Sequence, residues 1–417
     1  MVVESWLARA ARTRPDTAAV NGLTYAALHT RARAVSAGLP RDARVGIALP
    51  PGEDYVVALH ACLLAGALVV PIDLRLTEAE RPAVDLLFGE RLQGMQEVTD
   101  THDLDAPAIL VHTSGTTSAP KPIRLTYGNW LWSALGSAVA LGVDPDERWL
   151  CTLPLSHVGG LSILLRSAIY GTTAIVHERF ETDRVLAALQ DPHGPTIVSL
   201  VPTTLTRLLD AGLTRPPALR WALLGGAPLP PALLQRAAAA GVPAAPTYGL
   251  TEACSQVATA GVPLFCTQID LQPDGEIVVT GPTVSPDAGG GRAVLHTGDL
   301  GAIDDNGLLH IVGRKADTIV TGGENVAPAE VEAVLEAHPG VLEAAVIGRP
   351  DDAWGEAIVA LVRPRNDAAP PTTDDLHAHC TTHLARFKVP KDYILVTDPL
   401  PRTASGKLIR RAFPARG

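Results

Sequence analysis

Apolar residues fall into short runs cut by glycine, proline and acidic turns, and two spacings alternate along the first half of the chain. Residues 45–49 form a compact apolar run read as a strand, and Pro50, Pro51 and Gly52 a turn. Residues 54–64 carry helical spacing, and 68–72 are β-branched again. The alternation returns as strand 196–201, helix 204–211, strand 219–224 and helix 231–240. Strands alternating with helices predict parallel sheets covered by helices, with ligands at the carboxyl ends of the strands. Two loops fit that position: the one after the apolar run 108–111, and Gly225-Gly226-Ala227 after Leu224.

From Asp274 the texture changes. Residues 275–279 and 308–312 are β-rich and joined by turns such as Asp304-Asp305-Asn306-Gly307. The last hundred residues predict a small α+β domain. Pro328 suits the first turn of a helix with Val331, Val334 and Leu335 on one face and Gly340 beyond its end. Runs 341–347, 357–362 and 393–396 read as strands, and 376–384 as a helix. The fold class is therefore α/β: a large N-terminal part with parallel sheets flanked by helices, a β-rich subdomain, and a small α+β C-terminal domain.

Composition narrows this picture. The 417 residues, 47% hydrophobic and 19% charged, suit a globular chain of two or more domains. A net charge of −10 argues against general nucleic-acid affinity, so any nucleotide must be held by local cations. The five cysteines, Cys62, Cys151, Cys254, Cys266 and Cys380, are widely spaced without C-x-x-C. They read as reduced thiols in a cytoplasmic protein. The N-terminus has no signal-peptide pattern. The apolar run 55–72 is interrupted by His60 and divided at Gly66, so it reads as a soluble helix–turn–strand and not as a membrane span. Oligomeric state stays open, a homo-oligomer included.

The candidate chemistry begins after Val111. Thr113, Ser114, Gly115, Thr116 and Thr117 are four hydroxyls and a glycine in five residues, with Lys121 following. Such a turn can cradle a polyanion through hydroxyls, backbone N–H groups and an ammonium, or it can be a polar surface loop. The spacing is not that of a Walker loop. The tail from Leu400 carries Arg402, Lys407, Arg410, Arg411 and Arg416 and no acid, a pattern that is ordinarily solvated or binds anions without specificity.

Taken in order, the motifs resemble the adenylate-forming superfamily of acyl-CoA synthetases, adenylation domains and luciferases over essentially the whole chain. In that resemblance the hydroxyl loop with Lys121 cradles the outer phosphates of ATP, although Ser118 and Pro122 replace two usual glycines. Glycine there would permit close backbone approach, so this loop is the likeliest departure from the pattern. Gly225, Gly226 and Ala227 resemble the adenine-pocket segment, and equally a strand-to-helix turn. In Thr247-Tyr248-Gly249-Leu250-Thr251-Glu252, the resemblance implies Tyr248 on adenine, with Gly249 beside it, Thr251 near the α-phosphate and Glu252 on Mg²⁺. Asp299 in Thr297-Gly298-Asp299 would accept from the ribose hydroxyls, and Arg314 would contact ribose or phosphates. Ala316 stands where many relatives carry a hinge Asp or Lys. The resemblance thus divides the chain into a large ATP- and acid-binding domain, 1–314, and a small mobile domain, 315–417. Gly322, Gly323 and Glu324 resemble the loop that faces the thiol in the second half-reaction, and Lys407 the lysine that completes adenylation.

Residues 126–137 and 149–167 resemble, in wording and not only in motif, the 2-succinylbenzoate–CoA ligases of menaquinone biosynthesis. That implies ATP, Mg²⁺ and CoA as cofactor and co-substrates and an aromatic acid as substrate, with neither nucleic acid nor membrane as partner. Arg166 lies in an otherwise apolar run from Leu161 to Ile169, where an unpaired charge is costly. It either meets a second substrate carboxylate, or pairs with a protein acid, or sits on an exposed helix edge. His157 resembles the gate of the acyl pocket, or is a packed histidine. Ser255 and Gln256 either line the aryl pocket or are polar residues at a helix start. Other aryl- or acyl-CoA ligases, a stand-alone adenylation enzyme loading a separate carrier protein, and a degenerate AMP-binding regulator are the alternatives.

Overall fold

The structure is a computed structural model that describes residues 1–89, 98, 100–113, 121–402 and 408–413. Its first sheet runs Leu86–Leu87, Arg44–Ile47, Leu68–Pro71, Pro107–Thr113, Lys121–Thr126. The first four strands are parallel and the last is antiparallel. Lys121–Thr126 is an edge strand, which is where Pro122 can replace a ladder donor at little cost. Between Leu68–Pro71 and Arg44–Ile47 the chain passes through the helix Glu53–Ala65, buried from Tyr55 to Ala65. Gly66 ends that helix at φ +70°, a left-handed cap that glycine adopts without a Cβ penalty. The apolar run 55–72 is therefore a helix, a cap and a strand, and no helix of the described residues is long and apolar enough to cross a membrane.

The second sheet has nine strands, from Val262–Pro263 at one edge to Leu23–Thr24 at the other. Its centre, Ala244–Leu250, Trp221–Leu224, Ile197–Leu200, Arg148–Cys151 and Thr173–Val176, is parallel throughout. The helices Tyr127–Leu141 and Val158–Tyr170 pack on each other and join both sheets in one core. A reciprocal capping box starts the first of them: Asn129 N–H donates to Thr126 Oγ1 at 3.0 Å, and Thr126 N–H to Asn129 Oδ1 at 2.9 Å. Buried tyrosines knit the core through their hydroxyls, Tyr25 to the Ser167 carbonyl and Tyr127 to that of Leu63. Among the described residues the cysteines are all free thiols.

The β-rich segment is an antiparallel sheet of Gln268–Leu271, Glu276–Thr280, Val294–Ile303 and Leu309–Arg314. After Arg314 a five-stranded sheet and the helices Pro328–Glu336 and Thr373–His383 enclose a separate core. Here Val341–Asp351 and Gly355–Pro364 run further than the apolar runs 341–347 and 357–362. Residues 322–325, expected as a loop face, fall in a tight hairpin between Ile319–Thr321 and Glu324–Val326. Gly322 and Gly323 turn it at φ +57° and +83°, the positive pair that a short hairpin demands.

Candidate active site

The strand Trp221–Leu224 delivers Gly225 to the carboxyl edge of the parallel sheet. A Cβ on Gly225 would stand 2.6 Å from Thr247 Oγ1, so the glycine lets two neighbouring strand ends close together. Thr247 Oγ1 in turn donates to the Leu224 carbonyl at 3.1 Å. Gly226, at φ +81°, turns the chain toward Ala227. This cradle has the strand-end geometry expected of a ligand edge, and it also has a purely local packing reason.

One strand further, Tyr248 is half-buried and its hydroxyl donates to Asp299 Oδ2 at 2.8 Å. Arg314 Nε holds the other oxygen, Oδ1, at 2.6 Å. Asp299 and Arg314 face each other across adjacent antiparallel strands, which fixes that pair in register. The Asp299 side chain is 8% exposed and that of Arg314 is 45% exposed, so the carboxylate is presented at the bottom of a cationic rim. Burial, with the Asp299 charge added, pushes the Tyr248 phenol up and keeps it a neutral donor. Gly298, at φ +67°, and the Thr297 hydroxyl, which accepts Asp299 N–H at 3.0 Å, shape the turn that aims the carboxylate.

Beyond Tyr248 the strand Ala244–Leu250 turns through Thr251–Ala253 and returns as Ser255–Thr259. Gly249 is obligatory here, because a Cβ would meet the Ser255 carbonyl at 1.8 Å. Cys254 and Ser255 both take positive φ, +53° and +86°, so the turn is strained at two consecutive non-glycine residues. Ser285 ties this turn to the strand carrying Lys121: its N–H donates to the Glu252 carbonyl at 2.8 Å and its hydroxyl to that of Arg124 at 2.8 Å. The Glu252 carboxylate is half-buried, with no hydrogen-bond or ion-pair partner among the described residues. A carboxylate left without a protein cation suits a hard divalent ion such as Mg²⁺.

Ser255 and Gln256 begin a strand and not a helix, which removes their reading as helix-start residues. The turn ahead of them is too strained to start a helix, and its return strand pairs with Ala244–Leu250 instead. Ser255 Oγ lies 3.5 Å from Ser162 Oγ on the helix Val158–Tyr170. One turn along the same face is Arg166. Its Nη2 donates to Ser133 Oγ at 3.1 Å, that hydroxyl donates to the Cys254 carbonyl at 2.7 Å, and its guanidinium lies over the Trp149 ring. Arg166 is 4% exposed, its Nε makes no hydrogen bond, and no carboxylate pairs with it among the described residues. Burial pushes its pKa down. Among the described residues neither structural alternative for this arginine, a protein ion pair or an exposed helix edge, is met. His157 is the N-cap of the same helix and is half-buried. Gln256 is buried and donates through Nε2 to Thr259 Oγ1.

Ser133, Trp149 and Ser162 were not singled out in the chain. Ser162 carried a usable signal, four residues before Arg166 on one helix, whereas Ser133 and Trp149 reach Arg166 only through the tertiary fold. Ser114, Gly115, Thr116, Thr117 and Lys407 lie outside the described residues. Thr113 and Lys121, the flanks of the hydroxyl loop, face each other across the hairpin, with Thr113 Oγ1 donating to the Lys121 carbonyl at 3.3 Å. Gly322, Gly323 and Glu324 form the hairpin turn of the small sheet, against Trp354.

Two family models match the chain, the AMP-binding enzyme family over residues 7–84 and 83–286 and the AMP-binding enzyme C-terminal domain over 330–407. A 2-succinylbenzoate–CoA ligase of Bacillus cereus is 34% identical, over 98% of this chain and 97% of that protein. Among solved structures, the o-succinylbenzoate CoA synthetase of Bacillus subtilis in complex with the acyl-adenylate intermediate aligns with a TM-score of 0.90 at 33% identity. That alignment covers 99% of this chain and 98% of the other. The same synthetase with ATP and magnesium ion gives 0.89 at 32% identity, over 99% of each chain.

Proposed function

The chain belongs to the AMP-binding enzyme family, and from that membership we propose that it is an ATP-dependent acid–thiol ligase that joins 2-succinylbenzoate to CoA. The products are 2-succinylbenzoyl-CoA, AMP and diphosphate, and the reaction is a step of menaquinone biosynthesis. The observation that carries the choice of acid is Arg166, a buried guanidinium with no protein carboxylate beside it among the described residues. An acid with a second carboxylate supplies the missing partner, and arginine suits planar carboxylate recognition.

In the first half-reaction an oxygen of one of the acid's two carboxylates attacks the α-phosphorus of ATP, and the bond to the leaving diphosphate breaks. Tyr248 offers its ring face to the adenine, Asp299 accepts from the ribose hydroxyls, and Arg314 stands at the rim. Gly225, Gly226 and Ala227 border the base. Thr113 to Thr117 and Lys121 donate to the outer phosphates, and Thr251 to the α-phosphate region. Glu252 would hold Mg²⁺, which when bound neutralises charge on the transferring phosphates. Lys407 bridges the attacking carboxylate and the α-phosphate. The contribution of these groups is positioning and electrostatic stabilisation. His157 gates the acid pocket, and Ser255 and Gln256 line it.

In the second half-reaction the small domain, 315–417, rotates against 1–314 and presents Gly322, Gly323 and Glu324. The CoA sulfur then attacks the acyl carbon, the thioester forms, and AMP leaves with the acyl–phosphate oxygen. Such a hinge motion would gate turnover. The free thiols support a cytoplasmic enzyme.

Pyrophosphate exchange over a panel of acids tests the reading, followed by CoA against a carrier protein as acceptor. Exchange driven by 2-succinylbenzoate, with CoA accepting, is the expected result. Exchange with simple benzoates or fatty acids and none with 2-succinylbenzoate removes the specific acid, and transfer only to a carrier protein removes CoA as acceptor.

A further inference from the structure

Arg410, in the basic tail, is not simply solvated. It reaches back across the small domain to three different places. Its Nη2 donates to both oxygens of Glu332 at 2.8 Å, its Nη1 to Asp317 Oδ2 at 2.9 Å, and its Nε to the Val346 carbonyl at 3.4 Å. Glu332 is buried in the helix Pro328–Glu336, and its Oε1 also accepts Val346 N–H at 2.8 Å. Asp317 closes the turn Lys315–Asp317, immediately after Arg314, where the two domains meet in sequence. One guanidinium thus joins the core of the small domain to its first turn.

This anchor sits beside the residues that carry the adenylation lysine in sequence. Residues 403–407 lie outside the described residues, but their flanks are described. Arg402 and Leu408 pair as an antiparallel bridge, and Ile409 N–H donates to the Pro401 carbonyl at 2.9 Å. Arg410 follows that closed base by two residues. Only arginine can serve two carboxylates and a carbonyl at once, because its planar fork carries five donors in fixed directions. A lysine offers one point charge on a flexible stem.

We propose that Arg410 is a positioning residue for adenylation, fastening the base of the 403–407 segment to Asp317 at the hinge turn and to Glu332 in the core. The described flanks of that segment, Arg402 and Leu408, are thereby tied to the same body as Asp317 and Glu332. The proposal rests on the reading of Lys407 as the adenylation lysine. It predicts a division between the half-reactions, because the thioester step uses the Gly322–Glu324 face and not Lys407.

The test measures both half-reactions in the full-length enzyme: pyrophosphate exchange with 2-succinylbenzoate, and thioester formation from supplied acyl-adenylate and CoA. Arg410→Lys keeps a cation beside Glu332 and loses the fork, and Asp317→Asn removes the hinge contact without leaving a buried charge. Both variants are expected to lose roughly 10- to 100-fold in exchange, the scale of a small misplacement of a catalytic group, with thioester formation unchanged. Their thermal melts should stay close to that of the parent. Equal loss in both half-reactions, or loss in neither, overturns the proposal. Lys407→Ala is measured alongside. Full exchange in that variant removes the role of Lys407 and the proposal with it; loss there, with full exchange in both anchor variants, removes the proposal alone.

Discussion

The guanidinium carbon of Arg166 lies 5.6 Å from the centroid of the Trp149 ring, inside the core and away from any described carboxylate. Its one hydrogen bond to a described residue goes to a serine hydroxyl. A cation kept in that setting is poorly explained by stability, since an uncompensated buried charge is costly. Arg166→Met should therefore leave the thermal melt unchanged or raise it. It should raise the KM for 2-succinylbenzoate by about 10- to 100-fold, the scale of a charged hydrogen bond, and that for a monocarboxylic benzoate much less. Steady-state kinetics with the two acids decides, because an equal rise for both would make the arginine structural.

Asp299 takes Tyr248 on one oxygen and Arg314 on the other. Each carboxylate oxygen still has a lone pair to offer a ribose hydroxyl. Asp299→Ala should cost on the order of 100-fold in exchange rate at limiting ATP, since it removes the acceptor and frees both of its partners. Tyr248→Phe keeps the ring face and loses one neutral hydrogen bond. It should raise the KM for ATP by only about 3- to 10-fold. A Phe variant as impaired as the Ala variant would show that the phenol, and not the ring, is the contribution.

The parts of the fold that depend on local spacing were legible in the chain. The helix Glu53–Ala65 and the strand Leu68–Pro71 follow from an apolar run broken by a glycine that caps in the left-handed region. The helix Pro328–Glu336 follows from its proline at the first turn. The helix-start alternative for Ser255 and Gln256 fails because the positive φ at Cys254 and Ser255 is a tertiary strain that no propensity reports. Arg166 was recognisable as odd, but what surrounds it was not, because Ser133 and Trp149 come from other elements. The solvated reading fails at Arg410 for the same reason. A run of like charge suggests solvent until Glu332 and Asp317 are seen beside Arg410.

Acid should destabilise the protein through two buried histidines. His60 is pushed down to about 4 and His102 to about 3, in each case chiefly by burial. Both fall below their ordinary value near 6.5, so the unfolded chain binds the extra protons first. Their stabilising effect is fully present above about pH 6.5 and is lost as pH falls from there toward 4. His60→Leu should flatten the pH dependence of the urea midpoint between those values. Glu336 acts in the opposite direction: burial raises it to about 7, so the folded state loses stability as pH climbs from about 4.5 through 7. Glu336→Gln should gain stability at pH 8 relative to the parent and gain none at pH 4. Because the two effects oppose each other over overlapping pH ranges, each is read as the difference between variant and parent; a variant whose midpoint follows the parent's at every pH would contradict its own assignment.

The turn behind Tyr248 couples strain to the helix that carries Arg166. Ser255 holds φ +86° with its hydroxyl 3.5 Å from Ser162 Oγ, one helical turn from Arg166. Ser255→Gly removes a backbone conformation that costs an L-residue about 1 kcal/mol or more, and should raise stability by about that amount. If the hydroxyl helps to line the acid pocket, the same variant should weaken 2-succinylbenzoate and leave the KM for ATP unchanged. Gly249→Ala is the contrast, because its Cβ would fall 1.8 Å from the Ser255 carbonyl and backbone must move. That variant should lose several kcal/mol and impair ATP and acid binding together. Urea melts paired with KM values for the two substrates separate the cases. A Ser255→Gly enzyme that is less stable than the parent would mean that the hydroxyl contact outweighs the strain.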